Sequence, residues 1–441
     1  MKRLLFIFIS MVLISQVINA QENSYSDWYE NFVKAFQNPF FREPNAGTAA
    51  LPVLMIPGTG RIEAMGSAYT AAAFDGGVLA SNPASTSIID FTELTFSHSN
   101  WIADSSLEQI YYTSRFDNFG MGARAQLIYA TFTENDDFSK AVNFGNIAEM
   151  LLSLNASYNF LNSYSFNGIA VGGSLKFAYR HIPEVFAADQ SALAFMIDLG
   201  VRSSFDVKFL KFYYDNEDNL AVGAALKNIG PNVGPDPLPA EFSIGVSYLP
   251  IRPLTIDLDF NLPFNFSAEI NASKPNFNLG FNLQFANFFS LQGGFRYSGQ
   301  NPRFSIGACV ELPEMTINSN FVLDYTTLSA DGLNLFDRVS IQMAVNLGDR
   351  GRKDKQDRVD KYVIDGVNAF GAENYDKAIE YFKRALELDP SHDYAARYLA
   401  QSIERLDTIK AFREAGLELF QREETQSANN EETTQQEETE Q

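Results

Sequence analysis

Residues 276–285 read NFNLGFNLQF. Phe277, Leu279, Phe281, Leu283 and Phe285 alternate with Asn276, Asn278, Gly280, Asn282 and Gln284. Successive side chains of a strand point to opposite faces, so this period of two makes one apolar face and one small polar face. A half-buried sheet in water shows the same period. Its wet face, however, usually carries charge, and this stretch carries none. The run also exceeds the ~5–6 residues of an ordinary strand and approaches the ~9–11 that a tilted strand needs to cross a bilayer.

The pattern recurs on both sides. FNGIAVGGSLKFAYR (166–180) sets Ile169, Val171, Leu175, Phe177 and Tyr179 against Gly168, Ala170, Gly172, Ser174, Lys176, Ala178 and Arg180. FGMGARAQLIY (119–129), EFSIGVSYL (241–249), LTIDLDFNL (254–262), SLQGGFRYS (290–298), RFSIGACVEL (303–312), TINSNFVLDY (316–325) and RVSIQMAVNL (338–347) follow the same rule. Counting such runs between Ile89 and Leu347 gives about 14 strands, an even number within the range of outer-membrane barrels. A soluble sandwich or solenoid of this size would expose strand edges; closing the sheet removes them. The reading is an all-β transmembrane barrel of about 14 antiparallel strands, apolar side to lipid and small polar side inward.

The chain ends agree. MKRLLFIFISMVLISQVINA (1–20) has a basic start, an apolar core and a small residue at its end, the pattern of a secretory signal peptide. Its core is shorter than the ~20 residues of a spanning helix. A chain that reaches a membrane with no spanning helix crosses it as a barrel. One cysteine, Cys309, excludes an internal disulfide framework. His98, His181 and His392 lie too far apart to suggest a metal site. A net charge of −21 argues against nucleic acid, which needs a basic footprint. No catalytic constellation stands out, and no cofactor is implied.

Composition changes after Leu347. GRKDKQDRVDK (351–361) is highly charged, and 350–358 reads as a linker. The following YVIDGVNAFGAENYDKAIEYFKRALELDP (362–390) has helical spacing. It resembles a tetratricopeptide repeat at Tyr362, Gly366, Ala378, Phe382, Ala385 and Pro390. Residues 359–421 thus form a small α-helical domain, with a partial second repeat from Asp393. About three repeats are usually needed for independent stability, so this module is expected to lean on the barrel, on another copy or on a partner. The acidic, low-complexity tail 422–441 reads as disordered.

Ahead of the strands lies GTGRIEAMGSAYTAAAFDGGVLASNPAS (58–85). Gly58 and Gly60 are not a phosphate loop, since no Lys-Ser/Thr follows. The stretch resembles the N-terminal region of the FadL-like outer-membrane transporters of long-chain fatty acids and other hydrophobic compounds. The matching residues are Gly58, Gly60, Arg61, Ala64, Met65, Gly66, Ala68, Asp75, Asn82, Pro83 and Ala84. LKNIGPNVGPDPLPAEFSIGVSY (226–248) resembles a segment of related barrels, the accessory barrel of type IX secretion included. With its repeat domain, the chain is most similar to the uncharacterised spirochaete branch of that superfamily.

The resemblance implies an N-terminal extension and plug over 21–88, filling a barrel over 89–349. It implies outer-membrane transport of hydrophobic small molecules, long-chain fatty acids first among them. An inward Arg124, Lys176, Arg296 or Arg303 would meet a carboxylate. Strand alternation, apart from the resemblance, lets inward Asp257, Asp259, Glu311 and Asp324 pair with inward Arg124, Lys176, Arg180, Arg296 and Arg303, a kind of lumen network that is usually structural or tunes selectivity. An even strand count puts both termini on the periplasmic side, where the repeats could hold a protein partner. Two other readings stay open: a barrel that anchors or assists secreted proteins, and an open porin, against which the plug-like segment counts.

Overall fold

The computed structural model describes residues 51–101, 105–135, 141–184, 190–208, 218–233, 236–264, 275–298, 301–312, 314–324 and 338–439. Residues 1–20, read above as a signal peptide, and residues 21–50, read as the start of the extension, lie outside this set. The chain forms two compact units, one of Met1–Phe160 and Ile169–Arg350, the other of Leu161–Gly168 and Gly351–Gln441.

The first unit is a closed barrel of 14 antiparallel strands. They are β1 (Glu93–Asn100), β2 (Ser106–Phe116), β3 (Phe119–Asn135), β4 (Ala141–Ser163), β5 (Phe166–His181), β6 (Ala192–Phe205) and β7 (Leu220–Ile229). The circle continues with β8 (Ala240–Ile251), β9 (Leu254–Phe264), β10 (Asn276–Ala286), β11 (Phe289–Ser298), β12 (Asn301–Leu312), β13 (Met315–Asp324) and β14 (Arg338–Asn346). Each strand pairs with its sequence neighbours, and β1 closes on β14 with Leu94 opposite Val345. No edge is left to pair with another chain.

The opening stretch is β10, and its register explains its alternation. Leu279 lies between Leu258 of β9 and Phe295 of β11. Leu258 is 53 % exposed and Phe277 48 %. The next position, Asn278, lies between Asp259 and Arg296 and is buried inside the barrel. Large apolar groups therefore face outward all round the wall, as a hydrocarbon solvent demands.

The two barrel ends differ. At one, five connections are two residues long, at 117–118, 164–165, 252–253, 287–288 and 313–314. The chain enters and leaves there: Thr92 N–H donates to Gly348 O (2.8 Å) and Leu347 N–H to Thr92 O (2.7 Å).

In the second unit, α3 (Arg352–Gly371), α4 (Tyr375–Leu388) and α5 (Asp393–Thr439) follow one another. Within the charged stretch 350–358 read as a linker, helix begins at Arg352; its Lys, Arg and Gln are good helix formers and Gln356 bonds Asp360 one turn on (2.9 Å). The tail from 422 likewise runs on as helix to Thr439, where Glu, Gln and Ala favour it. Val359, Val363, Ala378, Phe382, Ala385 and Ala395 make the core of this unit. Gly366 abuts the Phe382 ring, so a Cβ there would collide with it. Tyr362 packs against this core, and Pro390 lies exposed just past the end of α4.

Candidate functional site

Residues 51–88 lie inside the barrel and form a hatch. Its pieces are a 3₁₀ turn (Pro52–Met55), α1 (Gly60–Ala64), α2 (Val78–Ser81) and a second 3₁₀ turn (Pro83–Ser87). Thr59 caps α1, its hydroxyl accepting from Ile62 N–H. Ile62, Met65, Tyr69, Ala72, Val78 and Ile89 form a small core within the hatch. Helices this short leave most backbone groups without internal partners. The wall supplies them.

Asp259 does most on one side. Its Oδ2 accepts from Tyr69 N–H (2.9 Å), Thr70 N–H (2.9 Å) and the Thr70 hydroxyl (2.7 Å). Ser305 donates to Ala64 O (2.9 Å), Asn278 to Ser67 O (3.1 Å) and Arg202 Nε to Ala71 O (2.6 Å). Asn82 is fully buried; its amide donates to Thr70 O (2.8 Å) and Val201 O (3.1 Å), and its oxygen accepts from Ala84 N–H (3.1 Å). Pro83 then starts the turn, which needs no N–H there. Opposite, Asn155 of β4 donates to Pro83 O (3.0 Å), while Thr86 donates to Asn155 Oδ1 (2.6 Å).

Arg61 is the buried cation of this interface. Its Nη2 meets Glu311 Oε1 (2.9 Å) and Cys309 Sγ (3.0 Å), and Nη1 lies 3.8 Å from Asp75 Oδ2. Asp75 also accepts from Tyr69 OH (2.8 Å), Gly77 N–H (2.9 Å) and Gln342 (3.2 Å). Gly76 N–H donates to Glu93 of β1 (3.0 Å).

Glycine makes this fit possible. A Cβ at Gly120 would overlap the Thr86–Ser87 backbone, at Gly172 or Gly200 the Asn82–Pro83 pair, at Gly223 Thr70 O, and at Gly294 the Met65–Gly66 backbone. Gly66, with φ +63°, sits against the Phe295 backbone. The small inner residues of β3, β5, β6, β7 and β11 are thus a seat into which the hatch backbone fits. Gly58 is tight against Ala80, and Gly60 against Ser340 and Asn320. Met65 and Ala84 are fully buried.

The lumen also holds apolar surface. Leu51 and Val53 pack with Leu151, Ala178, Ala194, Met196 and Leu238. Val53 N–H donates to Glu149 (2.8 Å), and Gln126 to Val53 O (3.4 Å).

The anticipated cations stand differently from one another. Lys176 pairs with Asp198 (2.5 Å) and donates to Asn228 (3.0 Å). Arg124 bonds Gln126 and lies 5.4 Å from the Tyr111 ring centroid. Arg296 and Arg303 face each other across β11 and β12. The expected pairing of Asp259 and Glu311 with wall cations is corrected: Asp259 holds hatch N–H groups and Glu311 holds Arg61. The hatch brings donors that a reading of the wall alone omits. Asp257 is buried beside Asp259, and the Asp324 side chain lies outside the described residues. Sequence reasoning also missed the parts played by Arg61 and Asp259; the single basic residue of the hatch was the available signal. Among the described residues no group of His, Cys, Asp and Glu could hold a metal ion.

The model of the uncharacterised protein family UPF0164 matches residues 40–349. A tetratricopeptide-repeat model matches 366–392. A UPF0164 protein of Treponema pallidum (strain Nichols) is 24% identical over 359 residues, covering 78% of this chain and 80% of that protein. Another from the same organism is 28% identical over 188 residues, covering 41% of this chain and 35% of that protein. Among solved structures, the Ralstonia pickettii toluene transporter TbuX matches at 13% identity and a TM-score of 0.42, over 65% of this chain and 96% of that one. The Pseudomonas putida toluene transporter TodX matches at 12% identity and 0.41, over 65% and 96%.

Proposed function

The chain belongs to the uncharacterised protein family UPF0164, and we propose that it carries hydrophobic small molecules, long-chain fatty acids first among them, across the outer membrane through a hatch-filled barrel. The observation that carries this reading is the apolar cluster inside the lumen, built from Leu151, Ala178, Ala194 and Met196 around Leu51 and Val53. A porin lumen is polar and water-filled. A buried greasy patch behind a bonded hatch suits a hydrocarbon cargo instead. A carboxylate headgroup reaching this patch meets Lys176 only by competing with Asp198, so the pair acts as a selectivity filter. The test is uptake of labelled fatty acid by a deletion strain and its parent. Slower uptake in the deletion is the expected result; equal uptake overturns the proposal as a main route.

A second reading has its own support. The repeat at 366–392 is a protein-binding type of module that transport alone does not require. On this reading the module, with both termini periplasmic, holds a periplasmic protein, and the barrel is its anchor. Cross-linking from α3 and α5 in cells would return one reproducible partner; a smear of unrelated proteins counts against it.

A further inference from the structure

The outer wall is not uniformly bulky. On β3, Ala123 and Ala125 face outward between much larger neighbours. Ala125 lies between Ile110 and Leu152, and Ala123 between Tyr112 and Leu154. Leu175 and Phe195 extend the far rim. Leu154, Leu175 and Phe195 are each more than 60% exposed, while the two alanines between the rims are only half-buried floor. The result is an apolar groove of about 610 Å³ lined by residues of β2 to β6, within the ~300–1,000 Å³ range of small-molecule sites. It lies on the lipid-facing side of the wall.

One end of the groove is polar. The hydroxyl of Tyr112, which lines it, accepts from Arg350 Nη2 (3.4 Å). Arg350 Nε donates to Ser114 (2.9 Å), and the guanidinium lies 4.3 Å from the Phe116 ring centroid. These contacts fix an exposed arginine on the outer face, at the barrel end with the short connections. Aromatic rings and arginine at this level are the usual furniture of a membrane interface.

We propose that this groove and Arg350 form a binding site for an anionic glycerophospholipid of the leaflet at that end, with one acyl chain lying over Ala123 and Ala125 and the phosphate meeting Arg350. Position settles the class of occupant. A groove in the hydrocarbon belt fills with hydrocarbon, and a cation at its interfacial end selects a chain that carries a phosphate. The site depends on the barrel spanning a membrane and not on the cargo it carries.

The experiment uses the full chain in nanodiscs of phosphatidylcholine doped with photoactivatable phosphatidylglycerol. Labelling is mapped by mass spectrometry. Wild type labels on β2–β6 beside the groove. The double variant Ala123→Leu/Ala125→Leu, which fills the floor, cuts that labelling about tenfold, the effect of leaving roughly two methylenes unburied. Arg350→Gln keeps the groove but removes the preference for phosphatidylglycerol over phosphatidylcholine. Should the double variant fail to form a barrel, Arg350→Gln decides alone. Equal labelling of wild type and variants, labelling spread round the whole wall, or a groove cross-linked to a second copy of the chain each overturns the proposal. Fatty-acid uptake in the same variants stays at the wild-type level, which separates this site from the lumen.

Discussion

The same strands obey two rules, one on each face. The outer face needs only to be apolar and large. Phe, Leu, Ile and Val interchange along it, and neighbours such as Phe260 and Phe277 (ring centroids 5.0 Å apart) or Phe295 and Phe304 (5.1 Å) meet without a repeated pattern. The inner face is cut to one backbone. Glycines stand where the hatch touches, and Asp259, Asn155 and Ser305 stand where it needs hydrogen bonds. A fluid solvent asks little of a surface, whereas a folded partner fixes each position. The difference predicts very unequal costs for substitutions one residue apart.

The sharpest pair is Gly293 and Gly294. A Cβ at Gly293 meets nothing within 4 Å, whereas one at Gly294 overlaps Met65 and Gly66. Gly294→Val therefore lifts the hatch from its seat. Overpacking of this kind typically costs ~1–3 kcal/mol or more when backbone is struck. Planar-bilayer recordings should show open-channel current in Gly294→Val and none in wild type or Gly293→Val. Equal currents in the two variants would break the comparison.

Arg61 comes next. Arg61→Met removes the partner of Glu311 and Asp75 and leaves their charges inside the barrel. Breaking a buried pair on one side costs ~3–5 kcal/mol when both ends are fully buried. Here Glu311 is 36% exposed at its side chain, which places the loss at or below the lower end of that range. Cys309, fully buried beneath Arg61, reports on it. The thiol should react with a maleimide reagent markedly faster in Arg61→Met than in wild type. An unchanged rate would mean that the other hatch bonds hold it without the arginine.

The two faces were also unequally legible. The period of two runs through the strands quoted from the sequence and states the wall directly, because most outward positions solve the same solvation problem. The inner glycines were visible as small residues, but their purpose was not, since a glycine facing a lumen and one facing a hatch backbone are spelled alike. Asp259 and Arg61 illustrate the harder limit. Each is paired across 190 and 250 positions of sequence, with Tyr69 and with Glu311. Strand alternation says which way Asp259 points and is silent on what arrives there. The helical repeat was easier, because Gly366, Ala378 and Phe382 meet one another within a short stretch of chain.

The smallest expected effect sharpens the comparison from the other side. Leu258 points to lipid between the inward Asp257 and Asp259. Leu258→Met keeps volume and apolarity, so its stability in detergent or bilayer should stay within about 0.5 kcal/mol of wild type, as for surface changes away from special features. Leu258→Arg at the same position places a charge toward hydrocarbon and costs up to ~2–4 kcal/mol, according to depth. Urea-induced unfolding in liposomes measures both. If Leu258→Met proved as costly as Leu258→Arg, the outer face would be reading shape, and a packed protein neighbour would have to replace lipid on that side of β9.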